Sequence, residues 1–588
     1  MTYRWIQRPI DDPADVASLQ QALNDLPEAL ARTLVARGIT TFDAARDFFR
    51  ADRSDLHDPF MMADMRRAAE RLADAITQGA TVMVYGDYDV DGTTATTVMT
   101  HFLRTHGADV SYFIPDRYRD GYGLCRRGMD VAAARGAELV VALDCGITAH
   151  DEAAYARELG LDLIICDHHT PKDTLPPATA VLDPKRPDCD YPFAELCGCG
   201  VGVKLVQATL DVLGRAPDAA FQYLDLLAVA TASDIVPLRD ENRVLMAEGL
   251  DALQRSQRIG LNALADAADL SLSSVTSTGR IVFTIGPRIN AAGRMEDAEQ
   301  AVALLLADDP DAAASRAQHI EQLNTKRRDI NDEILREAVA QAERRITAAT
   351  PHALVLYDPD WHLGIIGIVA SSIVERYHKP TIMLTRNGDT VKGSARSIRG
   401  INIYDALSEC EDTLIQFGGH DYAAGMSLEP TQIEAFREQF NAAVGRRITP
   451  ELLTPSLRVD AALDLEAIGR VQDRFWSVLK QFGPFGPSNP TPVFQARSVA
   501  LARPPRTVGS DDKHLKLSVR PAEARAPTYD VIGFGMGAKQ RALQQCWDDG
   551  TPIELLFSVE ENTWNGRTSL QLKARDVRPL AQGEPAES

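Results

Sequence analysis

Residues 81–92 read TVMVYGDYDVDG, an apolar run, a glycine, and then three acids at alternate positions, Asp87, Asp89 and Asp91. A short apolar run bounded by glycine predicts a buried strand, which places the acids at its C-terminal end. Working outward, the same arrangement recurs. ELVVAL (138–143) runs into Asp144, LDLIIC (161–166) into Asp167, His168 and His169, and LLAVATAS (226–233) into Asp234. DVSYF (109–113) is a further strand, and segments of helical spacing fall at 65–78, 93–106, 126–135 and 150–159. Strands this apolar, alternating with helices, imply a parallel sheet covered on both faces, a doubly wound α/β domain. The C-terminal ends of such strands share one edge, where open α/β sheets bind ligands. The four acidic clusters are therefore expected to converge.

One Asp at a strand end is accounted for as the N-cap of the next helix. The set is not, because packed carboxylates repel one another and caps do not explain alternate acids beside paired histidines. A divalent cation resolves the repulsion. Carboxylates with imidazole and no thiolate suit Mn²⁺ or Mg²⁺. Several carboxylates shared by two ions suit two-metal phosphoryl transfer, one ion activating water and the other stabilising the leaving oxygen. Asp89 and Asp91 alternate and can point the same way, and Asp144 could bridge. Cys189, Cys197 and Cys199 offer a weaker zinc reading, lacking a second pair or a histidine at the usual spacing.

The whole chain has 588 residues, 62 Lys plus Arg and 83 Asp plus Glu, a formal charge of −21. That bulk charge alone does not describe a nucleic-acid binder. Eight sparse cysteines in apolar contexts fit reduced thiols in a cytoplasmic protein. No basic and apolar leader opens the sequence and no 18 residues run apolar, so neither a signal peptide nor a membrane span is expected. A helical cap is expected over 1–45, a catalytic α/β domain over 46–305, and a long charged connecting helix over 306–349. A second α/β domain follows over 350–450. Alternating strands at 514–519, 529–534, 553–559 and 568–577 predict a small β-barrel over 451–580, with a disordered tail at 581–588. The 451–580 stretch holds about 17 basic and 15 acidic residues, near +2, against the strongly negative remainder. Lys513, His514, Lys516, Arg520 and Arg525 cluster there, as a strand-binding groove or as a solvated face.

DYDVDG (87–92), the strand-end Asp144, the DHH triplet 167–169 and ASDIVPL (232–238) together resemble the successive motifs of the DHH phosphoesterase superfamily. GPRINAAGRM (286–295) and GGHDYAAG (418–425) are similar to motifs of one branch, the RecJ exonucleases. So is the order of DHH domain, long helix, DHHA1-type domain and oligonucleotide-binding (OB) barrel, across about residues 45–580. Phe417 stands where that branch often has a third glycine before His420. The resemblance implies Mn²⁺- or Mg²⁺-dependent 5′ to 3′ removal of nucleotides from single-stranded DNA in repair and recombination. It also implies Asp89, Asp91, Asp144, His168 and Asp234 as metal ligands, with Asp87 and His169 catalytic beside them; His169 could equally be a ligand. Arg117, Ser394 and Arg396 would hold the 5′-terminal phosphate from polar loops. Arg288, Asn290 and Arg294 would line the strand's path, Tyr122 would stack on a base or pack, and His420 would contact the nucleotide.

A monomer is expected, working with a single-strand-binding protein and a RecQ-type helicase. An oligoribonucleotide or cyclic-dinucleotide phosphodiesterase would share the metal motifs, but needs neither the long helix nor the barrel. A non-catalytic single-strand-binding homologue would have lost ligands, and every one is present.

Overall fold

In the strand Thr81–Tyr85, Val82 and Val84 enter one apolar core while Met83 and Tyr85 enter another on the opposite face. This is why the run reads apolar throughout rather than alternating. The computed structural model describes residues 2–522, 527–564 and 567–580, so the expected tail and Arg525 lie outside the described residues. The strand belongs to a five-stranded parallel sheet in the spatial order Asp109–Phe113, Thr81–Tyr85, Leu139–Leu143, Asp162–Cys166, Ala180–Leu182.

One element departs from expectation. LLAVATAS is not a strand but most of the helix Leu224–Ser233, and Asp234 is its C-cap. Every residue from Leu224 to Ala232 is buried, so no polar face marks the helical period.

The chain divides into two compact units, and the larger covers 53–453 and 486–488. Within it the helix Pro310–Ala349 has 40 residues, about 60 Å at 1.5 Å per residue. Asp309 caps it, accepting from Ala312 N at 2.7 Å, and Pro310 takes the first turn. Ala313, Ala317 and Ile320 pack into the first α/β core; Ile334, Ala338 and Ala342 pack with Leu354, Ile365 and Ile373 of the second. That second domain has a five-stranded mixed sheet, ordered Gln416–His420, Ala423–Leu428, Thr390–Arg396, Thr381–Asn387, Leu354–Tyr357, with the helix Leu363–Tyr377 against it.

The smaller unit covers 1–52, 454–485 and 489–588. Its sheet closes on itself, because Phe494–Leu501 pairs with both Ile553–Trp564 and His514–Pro521. The N-terminal helices belong here. Leu30, Leu34 and Ala45 share a core with Phe475, Phe494 and Phe557, and Arg4–Gln7 pairs in parallel with Ser456–Val459. No helix among the described residues is long and apolar enough to cross a membrane.

Candidate metal centre and phosphate pocket

The strand ends bring their acids together as the topology requires. Ligand atoms of Asp87, Asp89 and Asp144 lie within 4.8 Å of one another, as do those of Asp91, His168 and Asp234, and those of Asp144, His168 and His169. Asp144 is thus common to two groups. It sits in the left-handed region at φ 61°, a conformation Asp tolerates better than most residues, at the turn leaving its strand. His168 Nε2 lies 3.2 Å from Asp144 Oδ1, 3.6 Å from Asp234 Oδ2 and 3.8 Å from Asp91 Oδ2. Asp87 Oδ1, Asp144 Oδ1, His168 Nε2 and Asp234 Oδ2 are buried and have no hydrogen-bond partner among the described residues. Buried polar atoms are otherwise almost always satisfied.

The electrostatics agree. Burial and the neighbouring acids push Asp87 and Asp144 well above the usual carboxylate range, Asp91 up to about 6 and Asp234 up to about 8. Burial pushes His168 down to about 3, keeping its ring neutral, the form that ligates metal. Orphaned oxygens and a neutral imidazole, in two groups joined where His168 meets Asp144, fit two hard divalent cations. Asp87 is brought into one group as closely as the five expected ligands.

Asp91 is held from behind. The helix Gly198–Val212 points its N-terminus at the carboxylate, Gly198 N donating at 2.6 Å and Cys199 N at 2.9 Å. A helix N-terminus favours negative charge. Cys199 therefore serves through its backbone amide and Cys197 through a thiol hydrogen-bonded to Asp91, and the metal-capable groups among the described residues contain no cysteine. A Cβ on Gly198 would stand 2.6 Å from Asp144 Cβ, so only glycine lets the helix come this near. Asp89 does cap the next helix, accepting from Gly92 N at 3.0 Å. Asp167 belongs to none of these metal-capable groups: it accepts from Ile147 N at 2.9 Å, His168 N at 2.7 Å and the His169 ring at 2.7 Å. Burial pushes Asp167 up, but the bond and charge of His169 bring it down to about 2. The sequence reading assigns no role to Asp167 or Gly198; a run of small residues, CGCGVG (197–202), is the available signal for the latter.

Arg117 lies half-buried in a loop folded by Asp116, whose Oδ1 accepts from Tyr118 N and Arg119 N, both at 2.8 Å. Its guanidinium stacks 3.8 Å over the Tyr88 ring, and its Nε is buried without a partner among the described residues. Arg294 is pushed down to about 10 by burial and by the charges of Arg117 and Arg327, so three guanidiniums crowd here and favour an anion. Ser394 and Arg396, expected in a loop, lie instead on the strand Thr390–Arg396, third in its sheet, where Arg396 Nη1 donates to Ser394 Oγ at 3.0 Å. The glycine and serine there read as a turn, yet neighbouring strands pair the segment throughout its length. His420 is exposed on the outer strand of the hairpin, in the row of Arg396, about 10 Å off at two strand spacings. Tyr122 is 55% exposed, its hydroxyl 3.1 Å from His169 Nε2. Arg288 is buried, donating to Glu321 Oε2 at 2.5 Å and to Thr284 O at 2.7 Å, so it braces the long helix. Asn290 is half-buried on the same helix, Gly286–Met295.

Comparison with known proteins follows the same division of the chain. Models of the DHH family N-terminal domain, the DHHA1 domain and the RecJ OB domain match residues 81–231, 350–446 and 459–576. The single-stranded-DNA-specific exonuclease RecJ of Bacillus subtilis is 38% identical over 579 residues, 98% of this chain and 70% of the relative. That of Escherichia coli is 34% identical over 596 residues, 98% and 99%. The crystal structure of RecJ in complex with Mn²⁺ from Thermus thermophilus superposes with a TM-score of 0.80 at 29% identity, covering 98% of this chain and 79% of that one. Fold and cluster together define a metal-dependent phosphoesterase of the DHH type. Within that class, the chain belongs to the RecJ family.

Proposed function

We propose that this protein removes mononucleotides from the 5′ end of single-stranded DNA by phosphodiester hydrolysis on two divalent cations, Mn²⁺ or Mg²⁺. The observation that carries the reading is the pair of adjoining ligand groups, Asp87, Asp89 and Asp144 in one and Asp91, His168 and Asp234 in the other, beside a cluster of guanidiniums. The relatives are named single-stranded-DNA-specific exonucleases, and one solved relative is in complex with Mn²⁺.

Asp87, Asp89, Asp91, Asp144, His168 and Asp234 would hold the cations. When bound, these supply positive charge that activates water and offsets charge on the transferring phosphoryl group. The chain's own groups do the rest. Asp91 is fixed by two amides, and Asp167 orients His169 beside Tyr122 at the mouth of the site. Arg117, Ser394 and Arg396 take the 5′-phosphate. Arg294 and Asn290 line the approach, with His420 further out. The barrel tracks the rest of the strand: Phe534 is 56% exposed, with the His514 ring 5.2 Å and Lys573 Nζ 5.6 Å from its ring, a pairing of aromatic and cation suited to single strands. Eight unpaired thiols support a reducing cytoplasm. One chain carries both ligand groups and the pocket, which supports a monomer. Such an enzyme needs strands opened and held open, the work of a RecQ-type helicase and a single-strand-binding protein.

Asp144→Ala, purified folded, is expected to leave strands intact with Mn²⁺; a normal rate would refute the assignment. On end-labelled strands the 5′ label should be released first. Arg396→Ala should lower the preference for 5′-phosphate over 5′-hydroxyl ends by roughly 10–100-fold, the worth of a charge-assisted hydrogen bond, and an unchanged ratio would remove the pocket.

A further inference from the structure

The proposed pocket is split between domains, Arg117 coming from the first and Ser394 with Arg396 from the second. Release of one nucleotide per cleavage needs a fixed distance from pocket to metal ligands, so something near the pocket has to hold the domains in register. Three segments meet there. The Tyr118 hydroxyl donates to the carbonyl of Arg294 at 2.5 Å, and Arg294 Nη1 donates to the carbonyl of Gly364 at 2.8 Å, in the first turn of the helix Leu363–Tyr377. The His362 ring, capping that helix, stands edge-on to the Tyr118 ring at 6.2 Å.

The helix has no side chain where it is approached. A Cβ on Gly364 would overlap the Tyr118 hydroxyl and come 3.1 Å from the Arg294 carbonyl. Three residues on, a Cβ on Gly367 would come 2.9 Å from Ser394 Oγ and 3.2 Å from Arg396 Nη2. Residues three apart share a helix face. One edge of one helix therefore touches the loop that carries Arg117 and the strand that carries Arg396. Tyr118 is 42% exposed, so core packing does not explain its placement, whereas its hydrogen bond does.

We propose that Tyr118 is a positioning residue: with Arg294 and Gly364 it forms a latch that sets the spacing from the 5′-phosphate pocket to the metal ligands at one nucleotide, and so sets product length. The proposal rests on the 5′-end reading above.

The test uses full-length Tyr118→Phe and Gly364→Ala with Mn²⁺ on a 5′-phosphorylated, 3′-labelled strand and an internally labelled one, with products resolved by length. In Tyr118→Phe the share of products longer than one nucleotide should rise roughly 2–10-fold, the range for loss of one neutral hydrogen bond, with an unchanged melting temperature. A wild-type length distribution in Tyr118→Phe overturns the latch, whatever its rate. Gly364→Ala is expected to shift the distribution the same way, and a folded Gly364→Ala protein with wild-type products also counts against it. Failure of the pocket reading is seen separately, as wild-type enzyme indifferent to 5′-phosphate.

Discussion

Asp167 touches no cation in the proposed reaction, yet three of its neighbours depend on it. Its two oxygens anchor the amide of Ile147 from one loop and the amide of His168 and ring of His169 from the next. Asp167→Asn replaces one acceptor with a donor facing another donor. The expected result is a folded protein whose Mn²⁺ affinity or rate falls roughly 10–100-fold, as for other groups that orient ligands. A Mn²⁺ titration with unchanged midpoint and plateau would show that the histidines hold their places unaided. The candidate ligand acids are legible in the sequence, since Asp87, Asp89, Asp91 and Asp144 follow short apolar runs that form buried strands. The role of Asp167 is not, because its partner Ile147 is twenty residues away and is set by how two loops meet.

Among the elements, the start of Gly198–Val212 bears on the candidate metal centre as directly as a strand end, since two of its amides hold Asp91. Gly198→Ala forces the helix away from Asp144 and with it the two amides from Asp91. Overpacking of this kind costs about 1–3 kcal/mol. A lower melting temperature and weakened Mn²⁺-dependent activity are expected together; full activity at an unchanged melting temperature would mean that the helix has slack. The elements most open to misreading are those where burial hides the period. Leu224–Ser233 is apolar all round and reads as a strand, though Asp234 at its end still reaches the cluster. Thr390–Arg396 carries a glycine, a serine and two basic residues and reads as a loop, because its pairing comes from strands that the segment itself does not announce. The 40-residue helix is plain, since its charged positions leave a visible apolar stripe.

Across the whole molecule, the −21 charge lies outside the barrel, which is itself near neutral. Binding of single strands should weaken with salt by roughly 0.7 log units per log unit for each phosphate contacted. Lys516, on the barrel strand His514–Pro521, is expected to account for one such contact. Lys516→Ala should therefore flatten that slope by about 0.7 in a fluorescence-anisotropy titration, and an unchanged slope would make it a bystander. The sequence order of the domains is legible from composition, but the company kept by residues 1–52 is not, since helices of ordinary amphipathic pattern do not name the core they enter. That core lies beyond residue 454. During synthesis, at about 5–20 residues per second, the N-terminal segment waits roughly 20–80 s while 53–453 is made. The candidate metal ligands and the proposed phosphate pocket are all encoded within that interval, so the first part of the chain to emerge is among the last to find its place, and the larger unit can be assembled before the barrel exists.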